Sequence, residues 1–584
     1  MTENRNRRLQ RALPVLALAL VAFLSGAIVG AKRGSSPSVA LAERFAAAWA
    51  RGDYASMYSD ISPEARRSIS PHAFHDAYVR ALATATATGL APAGRARAGR
   101  GGTVSITMRV QTRLWGTLKL PLVLRTEAGE EDERIAWASW MTFPGLAPGA
   151  RLSRRVALPR RATLLARDGS VLAESPANGE NGRSTPLGEL GTAVVGQLGP
   201  LPSSRRLQLE SEGVPPDAQI GVSGLELALD DRLRGRPGGE LVASGGHVLA
   251  YTAPRAAPAL RTTISPSVQR AAVTALGGQL GGVVAMQPGT GQLLAVAGLG
   301  LDGLQPPGST FKIVTLTAAL QAHVATPRTS FPYATHATLD GVRLNNANGE
   351  ECGGSLALAF AVSCNSVFTP LGVKIGAARL VGTAETFGFN HPSGVPGAPA
   401  SSLPAASAIQ GELAVGSTAI GQAQVLATPL QMLVVAATIA DGGRRPAPAF
   451  LAQGASHPQR VISAGVAATV RRLMTGVVRS GTGTRAAIPG VIVAGKTGTA
   501  ELKSSCTSGS ESAGASEAAA EHEHEREGCK PGSEANAANT DAWFTAFAPE
   551  IHPRIAVCVM LVKDGAGGDT AAPVAREVLE AGLR

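Results

Sequence analysis

Apolar and polar positions change their pattern several times along the chain, and the first change predicts a membrane anchor. Residues 12–31 are apolar apart from Ser25, and a run of this length spans a bilayer. Four arginines within residues 5–11 precede the run, so we expect residues 1–11 in the cytoplasm and the rest of the chain outside. Cleavage after residues 29–31 is the alternative, but the run is long for a signal sequence, which favours an uncleaved anchor.

The next region, residues 38–148, has a mixed pattern that predicts an α+β fold. Two segments have helical periodicity and three later segments alternate like strands: 39–50, 74–84, 103–110, 114–124 and 135–142. This order favours helices packed on one face of a curved antiparallel sheet.

A β-rich region, residues 150–258, follows. A β-hairpin is indicated around the turn at Asp168-Gly169. Glu226 can pair with a nearby cation, but the sequence names no partner, so it is interpreted as a helix residue.

The last region, residues 260–584, alternates between apolar helical runs and short apolar strands. The helices are predicted at 267–276, 309–320, 356–362, 466–478 and 573–583, and a further helix is predicted within residues 413–440. The strands are predicted at 282–286, 292–297, 491–500, 542–548 and 555–562. Helices around an antiparallel sheet would account for this order.

Composition is that of globular domains, with 44% hydrophobic and 17% charged residues. The formal net charge is +11, and arginines cluster at residues 95–100 and 151–161. Solvated surface explains most of this charge, and attraction to anionic headgroups or an acidic polymer is the alternative. Nucleic-acid binding is not expected, because no recognition motif accompanies the charge.

Candidate chemistry begins at Ser309 and Lys312, which are three residues apart and therefore share a helix face. A serine hydroxyl is a poor nucleophile until a base takes its proton. A lysine in a partly dry pocket has a lowered pKa and can be that base. By itself this pair is a weak signal, because the spacing is common in helices.

Two later stretches strengthen the signal: Ser363-Cys364-Asn365 and Lys496-Thr497-Gly498. S-x-x-K, S-x-N and K-T-G in this order are the active-site motifs of penicillin-recognising serine enzymes. The flanking text agrees, since residues 307–312 read P-G-S-T-F-K and residues 496–500 read K-T-G-T-A. On these residues the chain closely resembles the class B penicillin-binding proteins.

The resemblance extends along the chain and implies a multidomain α+β fold with an N-terminal transmembrane helix at 12–31. Residues 38–148 resemble the nuclear-transport-factor-like domain at the front of some low-affinity penicillin-binding proteins. Residues 150–258 resemble the family's non-catalytic dimerisation or pedestal domain, and residues 223–233 within them resemble its S-G-L-E helix. Residues 260–584 resemble its transpeptidase domain, a serine β-lactamase-like α/β fold with two helical groups around a five-stranded sheet.

The resemblance also implies catalytic roles. Ser309 would attack a D-alanyl-D-alanine stem peptide and form an acyl-enzyme, with Lys312 as general base. Ser363 would relay the proton to the leaving amine, Asn365 would hold Lys312 and the substrate, and Lys496 would set the electrostatics around Ser363. The implied activity is peptidoglycan cross-linking by a D,D-transpeptidase that β-lactams acylate.

Substrate contacts are implied for the third motif. Thr497, Gly498 and Thr499 would line the site, the two threonine hydroxyls would bind the terminal carboxylate, and the backbone N–H groups of Ser309 and Thr499 would form the oxyanion hole. No metal or organic cofactor is needed. Expected partners are stem peptides, β-lactams, the plasma membrane through a single span, and possible further wall-synthesis proteins.

Two other function classes were weighed against transpeptidation. A carboxypeptidase or β-lactamase on the same fold is one, but class A lactamases need a further glutamate to activate water. Between the second and third motifs the only glutamates are Glu385 and Glu412, and neither lies in the sequence motif that surrounds the glutamate of class A lactamases. A non-catalytic β-lactam sensor or scaffold is the other, which the intact motifs disfavour.

Residues 503–539 interrupt the strands after the third motif with a low-complexity, acidic segment, which predicts a flexible loop. Cys506 and Cys529 bracket most of it, and export to an oxidising space allows them to form a disulfide. Cys352 and Cys364 are a less certain second pair. A metal site on the two histidines of the segment is disfavoured, because they are two residues apart and flanked by acidic residues.

Overall fold

The computed structural model describes residues 36–129, 132–176, 182–452, 458–501 and 540–584. The predicted anchor at 12–31 and the 503–539 segment with Cys506 and Cys529 lie outside these residues. None of the helices that are described combines the length and the hydropathy needed to span a membrane.

Helices and strands alternate along the whole described chain. The α-helices are α1 Pro37–Ala50, α2 Tyr54–Asp60, α3 Pro63–Ser68, α4 Pro71–Thr84, α5 Glu189–Val195, α6 Ser203–Ser211, α7 Gly224–Ala228, α8 Asp230–Leu233, α9 Pro266–Leu276, α10 Lys312–Gln321, α11 Leu356–Ala361, α12 Asn365–Ile375, α13 Ala377–Phe387, α14 Glu412–Ala419, α15 Pro429–Ala440, α16 Ala464–Ser480 and α17 Ala571–Leu583. The strands are β1 Ala87–Pro92, β2 Arg97–Ala98, β3 Thr103–Thr112, β4 Gly116–Ala128, β5 Glu133–Ile135, β6 Leu152–Ala157, β7 Leu164–Leu165, β8 Val171–Ala173, β9 Leu198–Gly199, β10 Ile220–Gly221, β11 Gly238–Ala243, β12 His247–Thr252, β13 Leu260–Arg261, β14 Gly281–Gln287, β15 Gln292–Gly298, β16 Ser330–Ala334, β17 His336–Leu339, β18 Val342–Asn345, β19 Cys352–Ser355, β20 Arg444–Arg445, β21 Gln459–Arg460, β22 Ala494–Glu501, β23 Thr540–Ala548 and β24 Ile555–Leu561.

The described residues divide into two compact units. The first unit runs to Arg160 and adds Pro200–Ala218 and Gly235–Ala256, and the second comprises Arg161–Gly199, Gln219–Arg234 and Ala257–Arg584.

The first unit has the predicted α+β character. An antiparallel sheet in the order β1-β3-β4-β5, with β2 paired to β3, packs against α1 and α4. The helices bury an aromatic cluster in which the rings of Trp49 and Tyr78 meet edge to face, 4.9 Å apart. A second sheet has the order β12-β11-β6.

The strand predicted at 135–142 is wrong. β5 ends at Ile135, and a 3₁₀ turn, Ser139–Thr142, follows. The alternation of apolar residues suggested a strand. In the structure the Trp137 ring packs beside Phe74, 5.4 Å away, so this apolar side chain is covered without strand pairing.

The second unit is built on a five-stranded antiparallel sheet in the order β15-β14-β24-β23-β22. Side chains alternate between its two faces, so the sheet separates two apolar cores. Along β23, Trp543 and Phe547 join the core that includes α10 and α15, whereas Phe544 and Ala546 join the core that includes α9 and α17. This is the arrangement that the resemblance implied.

One strand boundary in this sheet differs from the prediction. β22 begins at Ala494 rather than at Val491, and Ile492 remains 57% exposed. Residues 491–493 follow a turn at Pro489-Gly490 and lie before the start of the strand. The K-T-G motif therefore lies within β22, which pairs with β23 over its whole length and is an edge strand.

Glu226 lies in α7, as interpreted, and is the centre of a buried ion-pair network whose partners the sequence did not name. Its two carboxylate oxygens accept hydrogen bonds from Arg161 Nε at 2.5 Å and Arg183 Nε at 2.6 Å. Arg161 Nη2 also donates to Asp230 Oδ1 at 2.8 Å, and Arg234 pairs with the other Asp230 oxygen. The arginine partners lie 65 and 43 residues from Glu226, a distance at which local patterns carry no signal.

Neutralising Glu226 tests this network. We expect Glu226→Gln to lower the free energy of unfolding of this unit by about 3 kcal/mol, because it leaves Arg183 buried without its ion-pair partner and Arg161 paired with Asp230 alone. The measurement is calorimetric unfolding, with Glu189→Gln as the control because Glu189 is exposed in the same unit. A loss no larger than that of the control would contradict the expectation.

Candidate active site

Ser309 lies in a 3₁₀ turn, Gly308–Phe311, and α10 begins only at Lys312. The helix predicted from residue 309 therefore starts one turn later. The Lys312 N–H donates to Ser309 O, which keeps the two side chains on one face, since residues i and i+3 eclipse in a 3₁₀ turn. Ser309 is half-buried, whereas Lys312 has no exposed surface.

The Lys312 side-chain nitrogen is held by the second motif. Its Nζ donates to Ser363 O at 2.6 Å and to Asn365 Oδ1 at 2.6 Å, and lies 3.4 Å from Ser363 Oγ. Asn365 Nδ2 donates in turn to Asn345 O at 2.8 Å, which fixes the amide with its oxygen towards the lysine.

Ser363 lies in the turn between two helices. α11 ends at Ala361 and α12 begins at Asn365, and Ser363 between them has a φ of +62°. Positive φ is uncommon for residues other than glycine, and such conformations cluster at functional sites. The turn lets one residue present both its carbonyl oxygen and its hydroxyl to the lysines.

Lys496 reaches Ser363 from the edge strand β22. Its Nζ donates to Ser363 Oγ at 2.9 Å and to Thr497 O at 3.1 Å. The Ser363 hydroxyl therefore lies between two lysines. Thr497 is buried, and its Oγ1 lies 2.6 Å from Thr482 Oγ1.

Both lysines are fully buried, and burial disfavours the charged form of an amine. Burial lowers the pKa of Lys312 well below its ordinary value, and repulsion from Lys496 lowers it further. Burial lowers the pKa of Lys496 to about 7. Both shifts favour the neutral amine, which is the form that can act as a base, and Lys496 is partly charged at neutral pH.

Two phenylalanine rings and two glycines shape the pocket. The rings of Phe368 and Phe360 lie 5.5 Å from Lys312 Nζ and 5.6 Å from Lys496 Nζ, which excludes water there. Gly308 and Gly498 allow the nucleophile turn to meet β22. A Cβ on Gly308 would lie 2.7 Å from Thr499 O, and one on Gly498 would lie 2.8 Å from Pro307 O.

Comparison with known families shows which family the chain belongs to. Residues 281–580 match the family model described as the penicillin binding protein transpeptidase domain. The chain belongs to this family. Residues 176–249 match the penicillin-binding protein dimerisation domain, and residues 38–150 match the NTF2-like N-terminal transpeptidase domain.

Named relatives and solved structures agree with the family. The chain is 33% identical to the peptidoglycan D,D-transpeptidase PbpA of Mycolicibacterium smegmatis over 55% of this chain and 72% of the relative. It is 26% identical to the crystal structure of PBPA from Mycobacterium tuberculosis, with a TM-score of 0.55 over 73% of this chain and 99% of that one. The penicillin G acyl-enzyme complex of penicillin-binding protein A from M. tuberculosis is 27% identical, with a TM-score of 0.54 over 73% and 100% of the two chains.

In this penicillin-binding protein, the structure joins four of the predicted catalytic residues, Lys312, Ser363, Asn365 and Lys496, through hydrogen bonds. Ser309 is linked to them through its backbone. Gly498 and Thr499 follow on the same edge strand, and Thr499 is half-buried.

The less certain cysteine pair is confirmed, because Cys352 and Cys364 form a disulfide. Cys364 is the middle residue of the S-x-N motif, so the bond ties the start of α12 to β19. A hydrogen bond also holds the first turn of α12, because Ser366 N donates to Asn346 Oδ1 at 2.8 Å.

Sequence reasoning missed Thr482 and Asn345. Residues 480–484 read only as a glycine-rich stretch, and nothing local indicates that Thr482 lies against the third motif. Asn345 contributes a backbone carbonyl, which no side-chain pattern records.

The buried lysine of the third motif should make stability depend on pH. Because the pKa of Lys496 is about 7 in the folded protein and about 10.4 in an unfolded chain, the unfolded chain binds more protons between these values. Stability therefore rises with pH through this window. Between pH 7 and 9 we expect the free energy of unfolding to rise about 2 kcal/mol more in the parent than in Lys496→Met.

Unfolding in urea at several pH values measures this difference. Lys374→Met is the matched control, because Lys374 is an exposed lysine on α12 and its loss should leave the pH dependence unchanged. Parallel curves for the parent and Lys496→Met would contradict the expectation.

Proposed function

We propose that this penicillin-binding protein is a serine D,D-transpeptidase that cross-links peptidoglycan stem peptides and is acylated by β-lactams. The proposal rests on the environment of the Lys312 nitrogen. This nitrogen is buried, its pKa is lowered, and it donates hydrogen bonds to Ser363 and Asn365 one turn after Ser309. Relatives named peptidoglycan D,D-transpeptidase and a solved penicillin G acyl-enzyme support it.

Acylation follows from the roles of these groups. The neutral Lys312 amine takes the proton of the Ser309 hydroxyl as its oxygen bonds to the carbonyl carbon of the penultimate D-alanine. The bond from that carbon to the terminal D-alanine nitrogen then breaks. Ser363, which contacts both lysines, passes its proton to the leaving amine and takes from Lys312 the proton that came from Ser309, so Ser363 and Lys312 return to their starting forms. The stem peptide remains as an ester on Ser309.

The third motif binds the negatively charged end of the substrate. The terminal carboxylate lies along β22, where the hydroxyls of Thr497 and Thr499 donate to it and the partly charged Lys496 attracts it. The N–H groups of Ser309 and Thr499 stabilise the oxyanion. An edge strand supports this role, because one row of its N–H groups is not used by the neighbouring strand.

The second half-reaction is aminolysis rather than hydrolysis. An amine of a neighbouring stem attacks the ester carbon, Ser309 recovers its proton, and a cross-link forms. Glu385 accepts a hydrogen bond from Asn390 Nδ2 at 3.2 Å, and Glu412 begins α14 with an exposed side chain. Neither joins the hydrogen-bond network of the lysines, which supports slow reaction of the acyl-enzyme with water.

The proposal extends to the whole chain. Residues 1–11 are cytoplasmic, residues 12–31 are a single plasma-membrane span, and the remainder is extracytoplasmic. Residues 38–148 form the nuclear-transport-factor-like domain, residues 150–258 the dimerisation domain and residues 260–584 the transpeptidase domain. Contact with other wall-synthesis proteins and a Cys506–Cys529 bond in the 503–539 segment belong to the same proposal.

Replacing the nucleophile tests the site. Ser309→Ala should abolish covalent labelling by benzylpenicillin, because no other group bonds to the carbonyl carbon. Intact-mass spectrometry of the soluble part measures the adduct, and Ser330→Ala, on an exposed serine of β16, is the matched control. Labelling that persists at another serine in Ser309→Ala would refute the assignment.

Replacing the base tests the role of Lys312. Lys312→Ala should slow acylation by at least ~10²-fold, the usual scale for a lost general base.

In the parent, acylation should fall as pH rises above about 7, where Lys496 loses its proton and its attraction for the carboxylate. Stopped-flow acylation between pH 5 and 9 measures both effects. A Lys312→Ala rate equal to that of the parent would leave that lysine a structural role only.

A further inference from the structure

Thr482 lies where the second and third motifs meet. It belongs to the glycine-rich turn after α16, and its N–H donates to Ala361 O at 3.1 Å, the last residue of α11. Its hydroxyl oxygen lies 2.6 Å from Thr497 Oγ1 on β22. One residue thus contacts the end of the helix that leads to Ser363 and the strand that carries the K-T-G motif.

The surroundings fix this placement. Gly483 N and Gly481 N both donate to Val477 O, at 2.9 and 3.1 Å, which ties the turn to the end of α16. Gly568 packs against the same pair, since a Cβ there would lie 3.6 Å from Thr497 Cγ2. Thr482 itself is exposed, so its hydroxyl faces solvent on one side and Thr497 on the other.

The direction of the threonine pair follows from the available acceptors. A hydroxyl has one proton and two lone pairs. A substrate carboxylate only accepts, so once Thr497 donates its one proton to it, the 2.6 Å contact with Thr482 can only be a hydrogen bond that Thr482 donates. If Thr482 donates to Thr497 at 2.6 Å, its proton makes a short bond and the Thr497 proton is free to point into the site.

We propose that Thr482 is a positioning residue for carboxylate recognition: it donates to Thr497 and thereby commits the Thr497 proton to the anionic end of the substrate. This rests on the proposed function, in which Thr497 binds the terminal carboxylate. A donor that accepts a hydrogen bond is polarised by it, so the chain from Thr482 through Thr497 to a carboxylate is stronger than its separate links.

Acylation of the full chain by benzylpenicillin and by its neutral methyl ester tests the proposal. In Thr482→Val, which keeps the shape and removes the hydroxyl, we expect the dissociation constant of benzylpenicillin before acylation to rise about tenfold, the scale of one net hydrogen bond. The limiting acylation rate and the reaction with the ester should change less than twofold. Thr482→Ser should restore the parent values.

Two further variants separate positioning from folding. Thr484→Val is the matched control, because Thr484 is an exposed threonine two residues along the same turn. Thr482→Val added to Thr497→Val should cost nothing more, because both changes break one chain of hydrogen bonds. Thr482→Ala takes the place of Thr482→Val if the valine variant does not fold.

The outcomes are distinct. Equal losses for benzylpenicillin and its ester, additive losses in the double variant, or a Thr482→Val variant that behaves like the parent would each overturn the proposal. A parent chain that is not labelled at Ser309 would overturn the proposed function and this inference together.

Discussion

Two lysines buried in one pocket are the constraint on which the rest of the transpeptidase unit depends. Neither Lys312 nor Lys496 has exposed surface, and their like charges disfavour simultaneous protonation. The fold tolerates them because Ser363 supplies acceptors to both and Asn365 to one. The same burial that opposes folding at low pH favours the neutral form of both amines, so the stability cost and the proposed chemistry have one origin.

Several local features are explained by the need to bring three motifs from distant parts of the chain to this pocket. The 3₁₀ turn places Ser309 and Lys312 on one side, the positive φ of Ser363 turns two oxygens towards the lysines, and Gly308 and Gly498 allow two backbones to touch. Each is a local departure from regular structure, and each is imposed by contacts made across the unit.

The sequence predicted the order of the motifs, the individual strands of the sheet and most helices, because these depend on local periodicity and on short patterns of residue types, whereas the five-stranded sheet followed from the family resemblance. It did not predict the Glu226 network or Thr482, because their partners are distant in sequence and share no pattern with them. The boundaries at Ser309 and Ala494 were also missed. There, close packing of glycines and a Pro-Gly turn override the apolar run that suggested a longer helix or strand.

The edge position of β22 has a consequence for folding. β22 and β23 are antiparallel neighbours, so their pairing would be a local hairpin, yet residues 502–539 separate them in sequence. Closing a chain of that length costs about 2 kcal/mol more than closing a four-residue turn, by logarithmic scaling. Pairing of the strand that carries the K-T-G motif is thus a long-range contact, which slows folding more than it lowers stability. We expect the substrate-binding edge to form late, after the core that contains Trp543 and the nucleophile turn has assembled to receive it.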